Sequence, residues 1–186
     1  MKKALLIIAT LVSTSSFASQ CDIDAKHLKA DYKITNSHKA QQSSESLTLW
    51  RNNQQVAHQS EVITELWQHL ANNQIRPIRY FNAQQRGIEY QPSEVRGVQS
   101  WSAKNQLVDN HLIEKMTLVS TQGKGCGEVK NYTLSENGND FNLAFFTHSK
   151  LVKTFSISNK KSETTTLLSL NNVSTDVPLI TAQFAQ

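Results

Sequence analysis

The sequence has 186 residues, with 19 Lys and Arg against 15 Asp and Glu. Setting aside Lys2 and Lys3 leaves 17 cations against 15 acids, too small a surplus for a nucleic-acid surface. The length suits one domain of ordinary size, and no segment after the start is apolar enough to enter a membrane.

The first eighteen residues have the three parts of a secretory signal: Lys2 and Lys3, the apolar run Ala4 to Val12, and small and polar residues through Ala18. Ser16 and Ala18 sit where the peptidase accepts only small side chains, so the expected division is a signal peptide over 1–18 and one β-rich domain over 19–186. The apolar run is about half of the ~20 residues needed to span a bilayer. Lipoprotein processing at Cys21 would want a small residue where Gln20 stands. A free, soluble protein exported to the periplasm of a Gram-negative bacterium is therefore expected, with no membrane span after cleavage. In that compartment the two cysteines, Cys21 and Cys126, read as a structural disulfide that pins the mature N-terminus. A redox-active pair would want a Cys-x-x-Cys spacing.

Beyond Cys21, Asp22 to Ala30 has the makings of one or two helical turns, with Asp22 or Asp24 as N-cap. A strand follows at Asp31 to Thr35, and the polar stretch Asn36 to Glu45 reads as a loop. Ser46 to Arg51 and Gln54 to Ser60 face each other across Asn52-Asn53 as a hairpin, with Leu47 and Leu49 on one face and Thr48 and Trp50 on the other. Glu61 to Leu70 is open between helix and strand, because Ile63, Leu66, Trp67 and Leu70 suit a helix while the following Asn72-Asn73 suits a hairpin; strand is preferred. Ile75 to Phe81 and Gly87 to Gln91 are strands joined by a polar turn, and Pro92 stops the second.

One helix is expected over about 102–116, opened by Ser102 and carrying the stripe Val108, Leu112, Ile113 and Met116, as a lid on the open side of a sheet. Thr117 to Thr121 returns to strand, and Gly123, Gly125 and Gly127 make a turn around Cys126. No helix follows that could make it a phosphate cradle. Four strands follow with short polar turns, Val129 to Ser135, Phe141 to Thr147, Leu151 to Ser158 and Thr164 to Asn171, and antiparallel pairing is implied. Ile180 to Phe184 reads as a last edge strand.

No Gly-x-Ser-x-Gly, His-Glu-x-x-His or paired acidic motif occurs, so no enzyme activity, catalytic residue or cofactor is expected. The six histidines lack ligand spacing, and no metal site is assigned. Arg76 and Arg79 point to opposite faces of one strand, so one of them is a candidate inward contact for an anion; the alternative is a solvated face with cross-strand ion pairs. Trp101, Leu112, Met116, Phe141, Leu143, Phe145 and Phe155 are the candidate lining of a ligand cavity, with protein core as the alternative for most of them.

The order of the C-terminal strands resembles the periplasmic lipoprotein-carrier family, LolA and LolB. The resemblance rests on Phe141-Asn-Leu, on Leu151 to Ile157, on Thr164-Thr-Thr-Leu-Leu-Ser-Leu-Asn-Asn-Val173 and on Ile180 to Phe184, roughly the last third of the chain. It implies a mainly β fold, a curved antiparallel sheet or unclosed barrel with one lid helix, holding an acyl chain or other apolar ligand in its concavity. The expected function is non-enzymatic binding of a lipid-like or apolar molecule. The alternative is an envelope protein-protein interaction or stress-sensing module that uses the same sheet. An enclosed cavity under Leu112 and Met116 would favour the carrier, and an outward apolar patch the docking module.

Overall fold

The computed structural model describes residues 21–70, 74–91 and 101–175. The signal segment, Pro92 and the expected strand at 180–184 lie outside the described residues. The strands are β1 His27–His38, β2 Gln41–Asn52, β3 Gln55–Gln59, β4 Ile63–His69, β5 Ile75–Phe81, β6 Arg86–Glu89, β7 Thr117–Gln122, β8 Val129–Glu136, β9 Asn139–Phe146, β10 Leu151–Asn159 and β11 Thr164–Ser174. Two short helices, α1 Trp101–Gln106 and α2 Asn110–Lys115, lie between β6 and β7.

All eleven strands form one antiparallel sheet in the order β6-β5-β4-β3-β2-β1-β11-β10-β9-β8-β7, which does not close. Two meanders, β1 to β6 and β7 to β11, are joined by the pairing of β1 with β11. Each strand repeats every two residues, so one choice of parity sets which side chains face the concavity. On β1, Leu28, Ala30 and Tyr32 are buried in the main core while the intervening residues are more exposed. Tight turns set the register. Between β8 and β9, Asn137 (φ 53°) and Gly138 (φ 76°) both take the left-handed conformation that a two-residue hairpin turn demands.

The main core lies in the concavity, where Leu28, Tyr32, Leu49, Val56, Trp67, Leu143 and Phe145 meet Val108 and Met116 of the helical segment. A second, smaller cluster of Trp50, Ala57 and Leu66 lies on the other side of the N-terminal meander. The opposed placement of Leu49 and Trp50 is thus as expected, and segment 61–70 is strand. Its apparent helical pattern arises because Leu66 and Trp67 are buried as neighbours, one on each face of the sheet.

Three expectations are corrected. The polar stretch 36–45 is not a loop: β1 and β2 pair continuously from His27↔Asn52 to His38↔Gln41. Residues 21–26 are turns rather than a helix, and β1 begins at His27. The helix at 102–116 is two six-residue pieces broken at Leu107, whose φ is 64°. Asp109 caps the second, accepting a hydrogen bond from the His111 amide at 2.9 Å. The stripe survives the break, because Val108 and Met116 are buried and Leu112 and Ile113 pack on the same core. Cys21 and Cys126 are disulfide-bonded across a separation of 105 residues. For a loop of that size the chain-entropy model gives up to ~4.7 kcal/mol.

Candidate functional site

The concave face changes character between the two meanders. From β1 outward through the C-terminal strands, Ile34, Leu168, Phe155, Leu143, Tyr132 and Leu118 stand in direct cross-strand register. A second row, Ile157, Phe141 and Leu134, runs beside it. Leu143 and Leu168 are buried, while Phe141 and Phe155 are half-buried with ring centroids 6.5 Å apart. The band ends on β7, an edge strand whose six residues are all exposed, Leu118 by 49% and Val119 by 57%. Among the described residues no strand pairs with the outer side of β7, so apolar side chains and an open hydrogen-bonding edge occur together here.

In the N-terminal meander the same face carries, beside the core residues Leu49, Val56 and Trp67, a covered polar row. His58, Glu65 and Arg79 are in register across β3, β4 and β5. Arg79 donates to Glu65 from Nε at 3.1 Å and also from its Nη2. Helix α1 lies over this row. His58 Nε2 is 2.7 Å from the Lys104 carbonyl, which can only accept, so the ring nitrogen carries the proton. The His58 ring packs edge-on to Trp67, and Lys104 Nζ lies 4.3 Å from the Trp67 ring centre. Burial is the main influence holding the imidazole down to about 4, with the Lys104 and Arg51 charges acting the same way against the pull of the Lys104 carbonyl and Glu65.

Arg51, 1% exposed, is the joint of the molecule. Its Nε donates to the Asn105 carbonyl of α1 at 2.5 Å, and Nη1 donates to Ala25 at 3.0 Å and Ser149 at 2.7 Å. Nη2 donates to the Lys150 carbonyl. One side chain thereby ties together the N-terminal turns, the first helix and the β9–β10 connection. Burial lowers its pKa to about 10, so it stays charged at neutral pH. Beside it the buried Tyr32 hydroxyl donates to the Val152 carbonyl at 3.1 Å, and burial pushes that phenol well above its ordinary range.

A cleft of about 530 Å³ lies between the helices and β8–β9, lined by Trp101, Asn105, Gln106, Tyr132 and Phe145 with Lys130 and Lys150. Among the described residues, no group of three or more His, Cys, Asp or Glu side chains could hold a metal, and no helix is long and apolar enough to cross a membrane.

Against this geometry, a family model described as Mesd, chaperone for wingless signalling and trafficking of LDL receptor, matches residues 20–139. The chain belongs to the Mesd family. The matched stretch takes in both cysteines, β1 to β8 and both helices, and reaches the first residue of β9. The family is thus a different one from the lipoprotein carriers that the C-terminal strands resemble. No curated protein matches the sequence.

Among solved structures, this Mesd-family chain is similar to an uncharacterized conserved protein from Thermus thermophilus, at 8% identity and a TM-score of 0.51, over 87% of this chain and 85% of that one. That likeness concerns the fold alone. A putative outer membrane lipoprotein-sorting protein domain from Vibrio parahaemolyticus matches at 9% identity and a TM-score of 0.42, over 87% and 90% of the two chains. The Pseudomonas aeruginosa MucA/MucB complex matches at 10% identity and 0.41, over 86% of this chain and 56% of that one.

The seven residues expected to line a cavity gather in one cluster of the Mesd-family fold, with Met116, Leu143 and Phe145 buried and Trp101, Leu112, Phe141 and Phe155 packed against them. Arg76 and Arg79 face opposite ways and each meets a carboxylate, Arg76 that of Glu89 at 3.1 Å and Arg79 that of Glu65. Sequence reasoning did not single out Arg51, His58, Leu118, Lys130 or Lys150. Arg51 had a signal: in the alternation Leu47, Leu49, Arg51 it occupies the third inward position. The lysines had none, since they converge from β8 and from the β9–β10 connection.

Proposed function

We propose that this protein is an exported, non-enzymatic binding protein of the periplasm of a Gram-negative bacterium, and that it holds an extended apolar segment of another polypeptide against β7 and the concave band. The observation that carries this reading is the unbroken row from Ile34 to Leu118, which runs out onto a fully exposed edge strand. A chain laid along such an edge gains backbone hydrogen bonds, and its alternate side chains gain apolar contacts. The signal-like N-terminus and the disulfide support export. The family description, a chaperone, agrees with a protein as occupant.

A lipid-like or other small apolar occupant is the second reading, favoured by the half-buried Phe141–Phe155 pair. Val108 and Met116 are buried under the helical segment, which leaves such an occupant the open cleft beside them.

The deciding experiment measures fluorescence anisotropy of a labelled ten-residue peptide of alternating Val and Thr, beside the same peptide N-methylated at every second amide. Binding of the first and not the second, weakened about tenfold or more by Leu118→Asp, is the expected result. If neither peptide binds, and native mass spectrometry of detergent-free protein shows a co-purifying acyl compound, the second reading takes its place.

A further inference from the structure

Lys130 stands at an inward-facing position of β8, opposite the buried Phe145 of β9, where the strand's alternation otherwise places Tyr132 and Leu134. A lysine on an apolar face loses solvation unless it gains an anionic partner or reaches water along its aliphatic stem. Its nearest carboxylate among the described residues, Glu128, is 4.0 Å away, at the outer limit of an ion pair, and is not among the described residues lining the cleft. A second cation, Lys150, lines the same cleft. Its backbone (φ 53°) is clamped through its carbonyl by Arg51, which also holds Asn105 on the facing wall. Among the described lining residues there is no Asp or Glu, and Trp101, Tyr132 and Phe145 line the same cleft as the two lysines.

We propose that this cleft is a binding site for a small amphiphilic anion, whose charged group pairs with Lys130 and Lys150 and whose apolar part lies on Trp101, Tyr132 and Phe145. A volume of about 530 Å³ falls within the range of small-molecule sites. Recognition is electrostatic at one end and apolar along the rest, so an uncharged molecule of the same shape binds more weakly, and added salt weakens the anion selectively. The site adjoins the edge strand β7, whose Leu118 and Thr121 pair with Tyr132 and Lys130, and it is told apart from the polypeptide site by probes that carry no peptide backbone.

The experiment uses the mature, disulfide-bonded protein and isothermal titration with three probes of one chain length: decanoate, decyl phosphate and decanol. Decanoate or decyl phosphate should bind at least tenfold more tightly than decanol, and whichever binds better identifies the anionic group as carboxylate or phosphate. Lys130→Gln and Lys150→Gln should each weaken the anion about five- to tenfold and leave decanol unchanged. Lys153→Gln, whose cation lies over Phe146, is the control expected to change nothing. Equal binding of decanol and the two anions, or anion binding indifferent to both cleft substitutions in variants that melt like the parent, overturns the proposal. Peptide binding at β7 should survive Lys130→Gln, so failure here and failure of the polypeptide-binding reading are told apart.

Discussion

The two meanders share one apolar core on the concave face but place their polar side chains there differently. In β2 to β5 the inward positions include Arg51, His58, Glu65 and Arg79, and each of these has a partner: main-chain carbonyls for Arg51 and His58, and the other's side chain for Glu65 and Arg79. In β7 to β11 the inward positions are mostly apolar, with Lys130 among them, and run to an edge strand. The polar row of the N-terminal half is thus partnered within the chain, whereas the C-terminal half keeps half-buried aromatics and, among the described residues, an edge strand with no outer partner. Where donors and acceptors are already matched, a second molecule has little to gain. The proposed binding therefore draws on the C-terminal half, while Arg51 and His58 of the N-terminal half hold α1.

That contrast breaks most visibly at Arg51. Arg51→Met keeps much of the volume but leaves four carbonyls, on Ala25, Asn105, Ser149 and Lys150, without the donor they share. Losing one partner of such a buried polar set costs about 3–5 kcal/mol. The expected outcome is a large fall in urea midpoint with the slope unchanged. Arg51→Lys should recover little, because one ammonium cannot reach all four carbonyls. A loss below about 1 kcal/mol would mean that the helices are held by their apolar stripe alone.

Much of this architecture is legible in the sequence for a definite physical reason. Strands β8 to β11 bury one face against the core and keep short polar turns, so a period of two is written into Phe141, Leu143 and Phe145. The β1–β2 hairpin tip is not legible, because residues 41–46 are exposed and polar on both faces. Backbone pairing alone makes them a strand, and pairing leaves no trace in side-chain pattern. The break at Leu107 is hidden for the opposite reason, since two short helices keep nearly the same apolar stripe as one. The site is less legible than the fold. Lys130 and Lys150 line one cleft only through the sheet register and the Arg51 clamp, while the seven cavity candidates, chosen on their apolar pattern, lie in or against the core.

The second test of the contrast is pH. Unfolded, His58 titrates near its ordinary 6.5; folded, it is held to about 4. Between those values the unfolded chain takes up a proton that the folded chain refuses, so stability falls as pH falls from about 6.5 to 4 and levels off below. A gap of that size corresponds to on the order of 3 kcal/mol at full extent. Thermal melts at pH 7, 5.5 and 4.5 should show the decline, and His58→Gln should flatten it. Carboxylates with lowered pKa, Asp24 and Asp140, lose their contribution only below about 3.8, so they do not imitate it in this window.

The smallest effect is expected at Arg79, and the comparison with Arg51 makes it informative. Both are arginines on the concave side of the same meander, but the Arg79 side chain is 42% exposed and its partner Glu65 34% exposed, against 1% for the whole of Arg51. Water already solvates most of the Arg79–Glu65 pair, and salt screens it, so Arg79→Met should cost about 0–1 kcal/mol and less at high ionic strength. If Arg79→Met instead proved as damaging as Arg51→Met, the ion pair would be part of what seats α1 on the sheet, through the nearby His58 and Lys104. A double-mutant cycle between Arg79→Met and Glu65→Gln then reads the coupling directly: a value below about 1 kcal/mol keeps the pair a surface one, and a larger value moves it into the group that holds the helices.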